Sequence, residues 1–167
     1  MTQRTLKARL DALAEAERPA EFEIATLTRY DIPAMAALHV EAYNAPHTAE
    51  SLLEATEEMR MTFDGAFGTP LDDSFVGAWE NGLLVGALLA VENSAWEDDE
   101  DCPVVLDLVV DPAHQRRGIA TALIGEIARR CTNWGYDTVA LRIDAHHSAA
   151  AKLYDVLGFE EAVPVGS

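Results

Sequence analysis

Residues 104–121 constrain this chain more than any other stretch. They read Val-Val-Leu-Asp-Leu-Val-Val-Asp-Pro-Ala-His-Gln-Arg-Arg-Gly-Ile-Ala-Thr. The first seven are a short apolar run rich in β-branched residues, stopped by Asp111 and Pro112, which is the pattern of a buried strand. The second half is a glycine-containing loop that opens a helix, with Ile119, Leu123, Ile127 and Cys131 recurring every fourth residue. A helix start carries partial positive charge and unpaired N–H groups, so basic residues are disfavoured there. Arg116 and Arg117 stand at that point. Two cations at a positive helix end fit an anion docked on the backbone N–H groups, most naturally a phosphate. Read alone, the same residues also fit a solvated basic loop ahead of an ordinary helix.

The 167 residues suffice for one domain with its own core. No apolar run approaches a membrane span, and the first residues lack a signal peptide's apolar centre. Cys102 and Cys131 are far apart and without metal-ligand spacing, which predicts buried reduced thiols in a cytoplasmic protein and no metal. A formal charge of −17 argues against a nucleic-acid partner. Between Asp31 and Asp111 the only basic residue besides histidine is Arg60, while residues 92–101 are strongly acidic. That loop reads either as solvated surface or as a field that attracts a cationic substrate.

Along the chain, Leu6, Leu10 and Leu13 suggest an amphipathic helix over residues 1–20, a helical extension to a domain of residues 21–167. Strands are expected at 22–27, 74–79, 83–91, 104–110, 138–144 and 159–165, with residues 65–73 as a loop. Helices are expected at 31–43, 48–63, 119–133 and 148–158. Asn81-Gly82 between two apolar runs signals a two-residue hairpin. The succession predicts an α/β (α+β) fold, a mixed, mostly antiparallel central sheet with helices on both faces.

The loop Gln115-Arg116-Arg117-Gly118-Ile119-Ala120 resembles the pyrophosphate-binding motif of the GNAT superfamily of acyl-CoA-dependent N-acetyltransferases. Downstream, His147-Ser-Ala-Ala-Ala-Lys-Leu-Tyr154, followed by Leu157-Gly158-Phe159, resembles that superfamily's second signature. The two stand in the family's order and spacing, and the resemblance spans roughly residues 22–165. It implies that the fourth and fifth strands splay at a bulge and that the pantetheine arm of acetyl-CoA enters the gap. The backbone of Leu108, Val109 and Val110 would then hold pantetheine and the thioester carbonyl. Gln115, Arg116, Arg117 and the amides of Gly118, Ile119, Ala120 and Thr121 would hold the diphosphate. His147 stands where the family's asparagine contacts CoA, and Tyr154 would lie near the sulfur as general acid. Arg142 occupies a position where ribosomal-protein N-acetyltransferases carry a glutamate base.

The reaction so implied is acetyl transfer from acetyl-CoA to a primary amine, most plausibly of a cationic small molecule or a peptide. Removing the proton of a lysine-like amine at pH 7 costs about 4.6 kcal/mol, so a base is worth having. Asp107 on the central strand and Glu41 at the end of the first helix are the candidates. Plain alternation puts Asp107 on the side of Val105 and Val109, away from Leu106, unless a bulge re-aims it. His39, Tyr43 and His47 lie in the same region as Glu41, and a base acting through water stays open. A non-catalytic acyl-CoA-binding module is the alternative reading. Only nine residues follow Gly158, so the N-terminal helix or a second subunit is expected over the exposed strand edge, which favours a homodimer.

Overall fold

Asn81 and Gly82 both adopt positive φ, 52° and 82°, and the chain reverses there between two long strands. Positive φ at both central residues matches the right-handed twist of the flanking strands, which explains the Asn-Gly preference. The computed structural model describes residues 3–9, 22–42, 48–92, 102–114, 118–144 and 160–161. Its strands are β1 (Gln3–Arg9), β2 (Glu23–Thr26), β3 (Thr69–Glu80), β4 (Leu83–Glu92), β5 (Val104–Val110), β6 (Thr138–Asp144) and β7 (Glu160–Glu161). Its helices are α1 (Ile32–Ala42), α2 (Ala49–Phe63) and α3 (Ile119–Asn133). The strands form one sheet in the order β2-β3-β4-β5-β6-β1-β7. Only the β5–β6 pair is parallel among the described pairings, so the sheet is mixed and mostly antiparallel, as expected.

Both faces of the sheet are covered, so β4 has no polar side and reads as an unbroken apolar run. On one face α3 buries Ile119, Leu123, Ile124, Ile127 and Cys131 against Val76, Val85, Leu88, Val105 and Val139. On the other, Met35 and Leu38 of α1 and Met59 of α2 pack on Phe75, Leu84, Leu89, Val91 and Val109. Thr48 starts α2 as the sequence suggests, its side chain accepting from Ser51 N at 3.1 Å.

Two expectations differ from the structure. Gln3–Arg9, expected as the start of a helix, is a strand paired antiparallel with β6 from Gln3↔Asp144 to Arg9↔Thr138. Over this short stretch the apolar spacing does not separate the two periods, since Leu6 and Ala8 also alternate with Thr5 and Lys7. The open edge of β6 supplies the long-range pairing that local propensity cannot foresee. Residues 10–20 of the expected helix lie outside the described residues. β1 is thus one strand of the domain's sheet rather than an appendage, and β7 pairs with β1 at Leu6↔Glu161 and Lys7↔Glu160. The edge that argued for a second subunit is covered from within the chain. Second, β3 begins at Thr69, inside the expected loop, and carries a register irregularity between Pro70 and Phe75 that hid it. The helix expected at 148–158 lies outside the described residues.

Candidate active site at the gap between β5 and β6

The site is built on one irregularity of β5. Leu89 of β4 pairs with Asp107, while its neighbour Ala90 pairs with Val105, so Leu106 is an extra residue, a β-bulge. Its consequence is a change of face. Val105 packs into the α3 core, and Leu106 packs on the α1–α2 side. Beyond it, Leu108 and Val110 return to the α3 core while Val109 faces α1. Asp107 therefore shares a face with Leu106 and Val109, opposite Val105. Unbroken alternation pairs Asp107 with Val105 and sets it against Leu106, so the sequence-based placement needs correcting, and the bulge is the reason.

Pairing of β5 to β6 ends at the same point. The two strands pair at Val104↔Ala140 and Val105↔Leu141, with Ala140 N donating to Pro103 O at 2.9 Å. No further β5–β6 pair forms among the described residues, although β6 continues to Asp144. Asp111 N donates to Val85 O at 2.8 Å, so by antiparallel alternation Val109 and Asp107 bond to β4. The N–H and C=O groups of Leu108 and Val110 then point the other way, into the gap. This is the splayed pair that the motifs imply; counting β1, it is the fifth and sixth strand.

At the far end of β5 a 3-10 turn, Pro112–His114, leads toward the basic loop. Asp111 shapes it, its Oδ1 accepting from Ala113 N at 2.9 Å and its carbonyl from His114 N at 2.8 Å. The ring of His114 lies between two carboxylates, 3.6 Å from Glu80 and 3.7 Å from Asp111, which ties this turn to the β3–β4 hairpin. Gly118 follows at φ +81°, a conformation that favours glycine, and accepts from Ala122 N to begin α3. The first-turn amides of α3, from Ile119 to Thr121, are donors that no helix satisfies internally. Gln115, Arg116 and Arg117 lie outside the described residues, as do His147 and Tyr154.

Of the two carboxylates named as candidate bases, Asp107 lies on β5 one residue past the bulge, and Glu41 lies on α1. Glu41 is exposed on the last turn of α1. The residue that meets Asp107 is His39, two positions earlier and about 200° away around the helix. His39 Nδ1 lies 3.2 Å from Asp107 Oδ2, and both side chains are half-buried. On the ring's other side, Nε2 is 3.8 Å from Glu58 Oε2 of α2, an exposed carboxylate. Burial alone would lower the histidine's pKa; the hydrogen bond and charge of Asp107, helped by Glu58, outweigh it and hold it above 6.5. Sequence reasoning named His39 only as one of several polar residues near the end of the first helix. Its i−4 neighbour Met35 and near neighbours Leu38 and Val40 are buried, and a histidine amid such a packed face was the available signal.

Among the described residues no cluster of His, Cys, Asp or Glu could hold a metal, and no helix is long and apolar enough to cross a membrane. Tyr43 and His47, and Asp98, Asp99 and Asp101 of the acidic loop, lie outside the described residues. At that loop's start Glu92 accepts a short hydrogen bond from Tyr136 Oη, which pushes the phenol up to about 12.

Comparison with known proteins agrees with this architecture. The ribosomal protein bS18-alanine N-acetyltransferases of Escherichia coli K12 and of Salmonella typhimurium LT2 are each 36% identical over 62 residues, 37% of this chain. The chain spans 42% of the length of those relatives. Among solved structures, the E. coli ribosomal-protein-S18-alanine N-acetyltransferase superposes with a TM-score of 0.64 at 22% identity, covering 85% of this chain and 79% of its own. The aminoglycoside N-acetyltransferase AAC(6')-Iy in complex with CoA gives a TM-score of 0.64 at 21% identity, covering 89% and 93%. At these identities the likeness establishes the fold. Residues 32–159, which run from the start of α1 through β5 and β6 to Phe159, match the acetyltransferase (GNAT) family, and the chain belongs to that family.

Proposed function

We propose that the protein transfers an acetyl group from acetyl-CoA to a primary amine, with a cationic small molecule or a peptide amine as acceptor. One observation carries this reading: β5 leaves β6 after Val105, at a bulge, with the backbone groups of Leu108 and Val110 facing the gap. An extended pantetheine arm needs such an edge, and a thioester carbonyl needs N–H groups aimed where its oxyanion develops. Gly118 and the first-turn amides of α3, with Arg116 and Arg117 before them, suit the diphosphate. Relatives named for N-acetylation of a ribosomal-protein alanine and of aminoglycosides support an amine acceptor.

The amine attacks the carbonyl carbon, the tetrahedral oxyanion collapses, and the C–S bond breaks. In this reading Tyr154 gives the departing thiolate its proton, since a phenol and a thiol are of comparable acidity. His147 contributes a hydrogen bond to the cofactor's arm, a role that imidazole can fill in place of an amide. The charge of −17 favours cationic acceptors at long range. A module that only binds acyl-CoA gains nothing from a half-buried His39–Asp107 pair beside the gap, which is why the catalytic reading is preferred.

Calorimetry with acetyl-CoA, on wild type and on the double variant Arg116→Glu/Arg117→Glu, tests the donor site. Micromolar binding by wild type and its loss in the variant are the expected results. Absence of binding by wild type at millimolar ligand would overturn the proposal. An amine panel then tests transfer, with Tyr154→Phe expected to slow it.

A further inference from the structure

We propose that His39 is the general base of this reaction, with Asp107 holding its ring and Glu58 drawing the ammonium group to Nε2. The inference rests on the acetyltransferase reading and deepens it. The two faces of β5 at the bulge are chemically unlike. On the α3 face Val105, Leu108 and Val110 are packed into an apolar core, which a charged amine cannot cross without losing its solvation. On the α1–α2 face stands a group of three titratable side chains from three elements: Asp107 from β5, His39 from α1 and Glu58 from α2. An amine reaching a thioester held at Leu108 arrives on that side.

The imidazole is oriented for the task. Its inner nitrogen meets Asp107 at 3.2 Å and its outer nitrogen faces the exposed Glu58 at 3.8 Å. In the neutral ring the Asp107 carboxylate, 3.2 Å from Nδ1, favours the tautomer that carries its proton there and leaves the lone pair on Nε2. An ammonium ion attracted by Glu58 is then presented to that lone pair. General-base efficiency follows the match between the base's titration and the working pH, and an imidazole titrates close to neutrality. Asp107 thus becomes a positioning residue: it fixes the tautomer and favours the imidazolium that forms.

The protons balance. Nε2 takes one from the ammonium and releases it to water beside Glu58. The free amine forms its C–N bond to the thioester carbon. The second nitrogen-bound proton leaves as the intermediate collapses, while the sulfur leaves with the C–S electron pair and is protonated, giving amide, free thiol and one released proton.

The test uses the full chain, acetyl-CoA, and spermidine, kanamycin and a peptide with a free amino-terminal alanine as acceptors. With the best acceptor, kcat/KM of the wild type should rise with pH through the titration of His39. His39→Gln should lower it about 100-fold and remove that rise, while acetyl-CoA affinity is unchanged and added imidazole restores part of the rate. Glu58→Gln, on the exposed side, should raise KM for the amine with little change in kcat. NMR titration of the His39 ring should show a lower pKa in Asp107→Asn than in wild type, a readout that needs no turnover. If wild type acetylates an amine and His39→Gln keeps the same pH profile, the base is elsewhere and the proposal fails while the transferase reading stands. If acetyl-CoA binds and no acceptor is acetylated, the transferase reading fails and takes the base assignment with it.

Discussion

A Cβ placed on Gly86 of β4 would lie 2.6 Å from Cγ2 of Ile119, the first residue of α3. Glycine there lets the start of α3 sit directly on the sheet, and so sets where its first-turn amides stand relative to the end of β5. The obstructing atom is a β-branch methyl of a buried side chain, which has little freedom to move aside. Gly86→Ala is expected to cost about 1–3 kcal/mol by overpacking. It should also weaken acetyl-CoA binding, because the helix start must lift. Denaturant unfolding and calorimetry on the same variant check both effects; lost stability with unchanged affinity would detach Gly86 from the donor site.

The bulge residue can be removed without moving Asp107 to the other face. Asp107 pairs with Leu89 and Val105 with Ala90, so deleting Leu106 leaves a regular strand in which both pairings become consecutive. What changes is the reason for β5 to leave β6. Regular pleating would let pairing continue past Val105↔Leu141 and close the gap. The deletion variant should keep its fold by circular dichroism and lose most of its acetyl-CoA affinity. Undiminished affinity would mean that the gap does not depend on the bulge.

How much of this was legible beforehand can be judged residue by residue. The hairpin at Asn81-Gly82, the cap at Thr48, the span of β6 and the end of α3 near Gly135 follow from local chemistry, because turn and cap residues act over a few positions. The glycine at the start of α3 was legible for the same reason. The face of Asp107 was not, since one extra residue inverts the alternation and nothing in Val-Val-Leu-Asp-Leu-Val-Val marks which residue is extra. Nor was the strand at Gln3–Arg9, whose partner residues lie 129 to 141 positions away. The meeting of His39 with Asp107 depends on both the bulge and the packing of α1 on β5, so it is a tertiary fact with no short-range signature.

β1 bears directly on solubility. It covers β6 along seven residue pairs, and its loss would expose that row of N–H and C=O groups. A variant lacking Gln3–Arg9 should melt at a lower temperature and associate with rising concentration, as read by light scattering. An unaltered melting temperature and a monodisperse sample would show that this pairing adds little.

The thiols should be silent in the native state. Cys102 and Cys131 are both buried, and burial, with a smaller contribution from Cys102, pushes the Cys131 thiol up to about 12. The nucleophile in thiol labelling is the thiolate, so at pH 8 neither cysteine should react with a disulfide reagent until the protein unfolds. The labelling rate should then follow the unfolding equilibrium across a denaturant series. Rapid labelling without denaturant would place one thiol within solvent reach.

His39 also couples stability to pH, and the direction follows from its partners. Its folded-state pKa is held above the ordinary 6.5, mainly by Asp107 against the opposing effect of burial. A group whose pKa is raised on folding binds its proton more tightly in the folded state. Its contribution is therefore fully present below the unfolded pKa of about 6.5 and is lost as pH rises through the folded one. His39→Gln removes this contribution and keeps a polar side chain of similar reach. Urea titrations should accordingly show the largest stability difference between wild type and variant on the acid side of 6.5. The difference should shrink as pH rises through the folded-state value. A difference that is constant from pH 5.5 to 8.5 would mean that the imidazole packs against Asp107 without sharing charge with it, and the pair would then be a filler of space rather than a titrating unit.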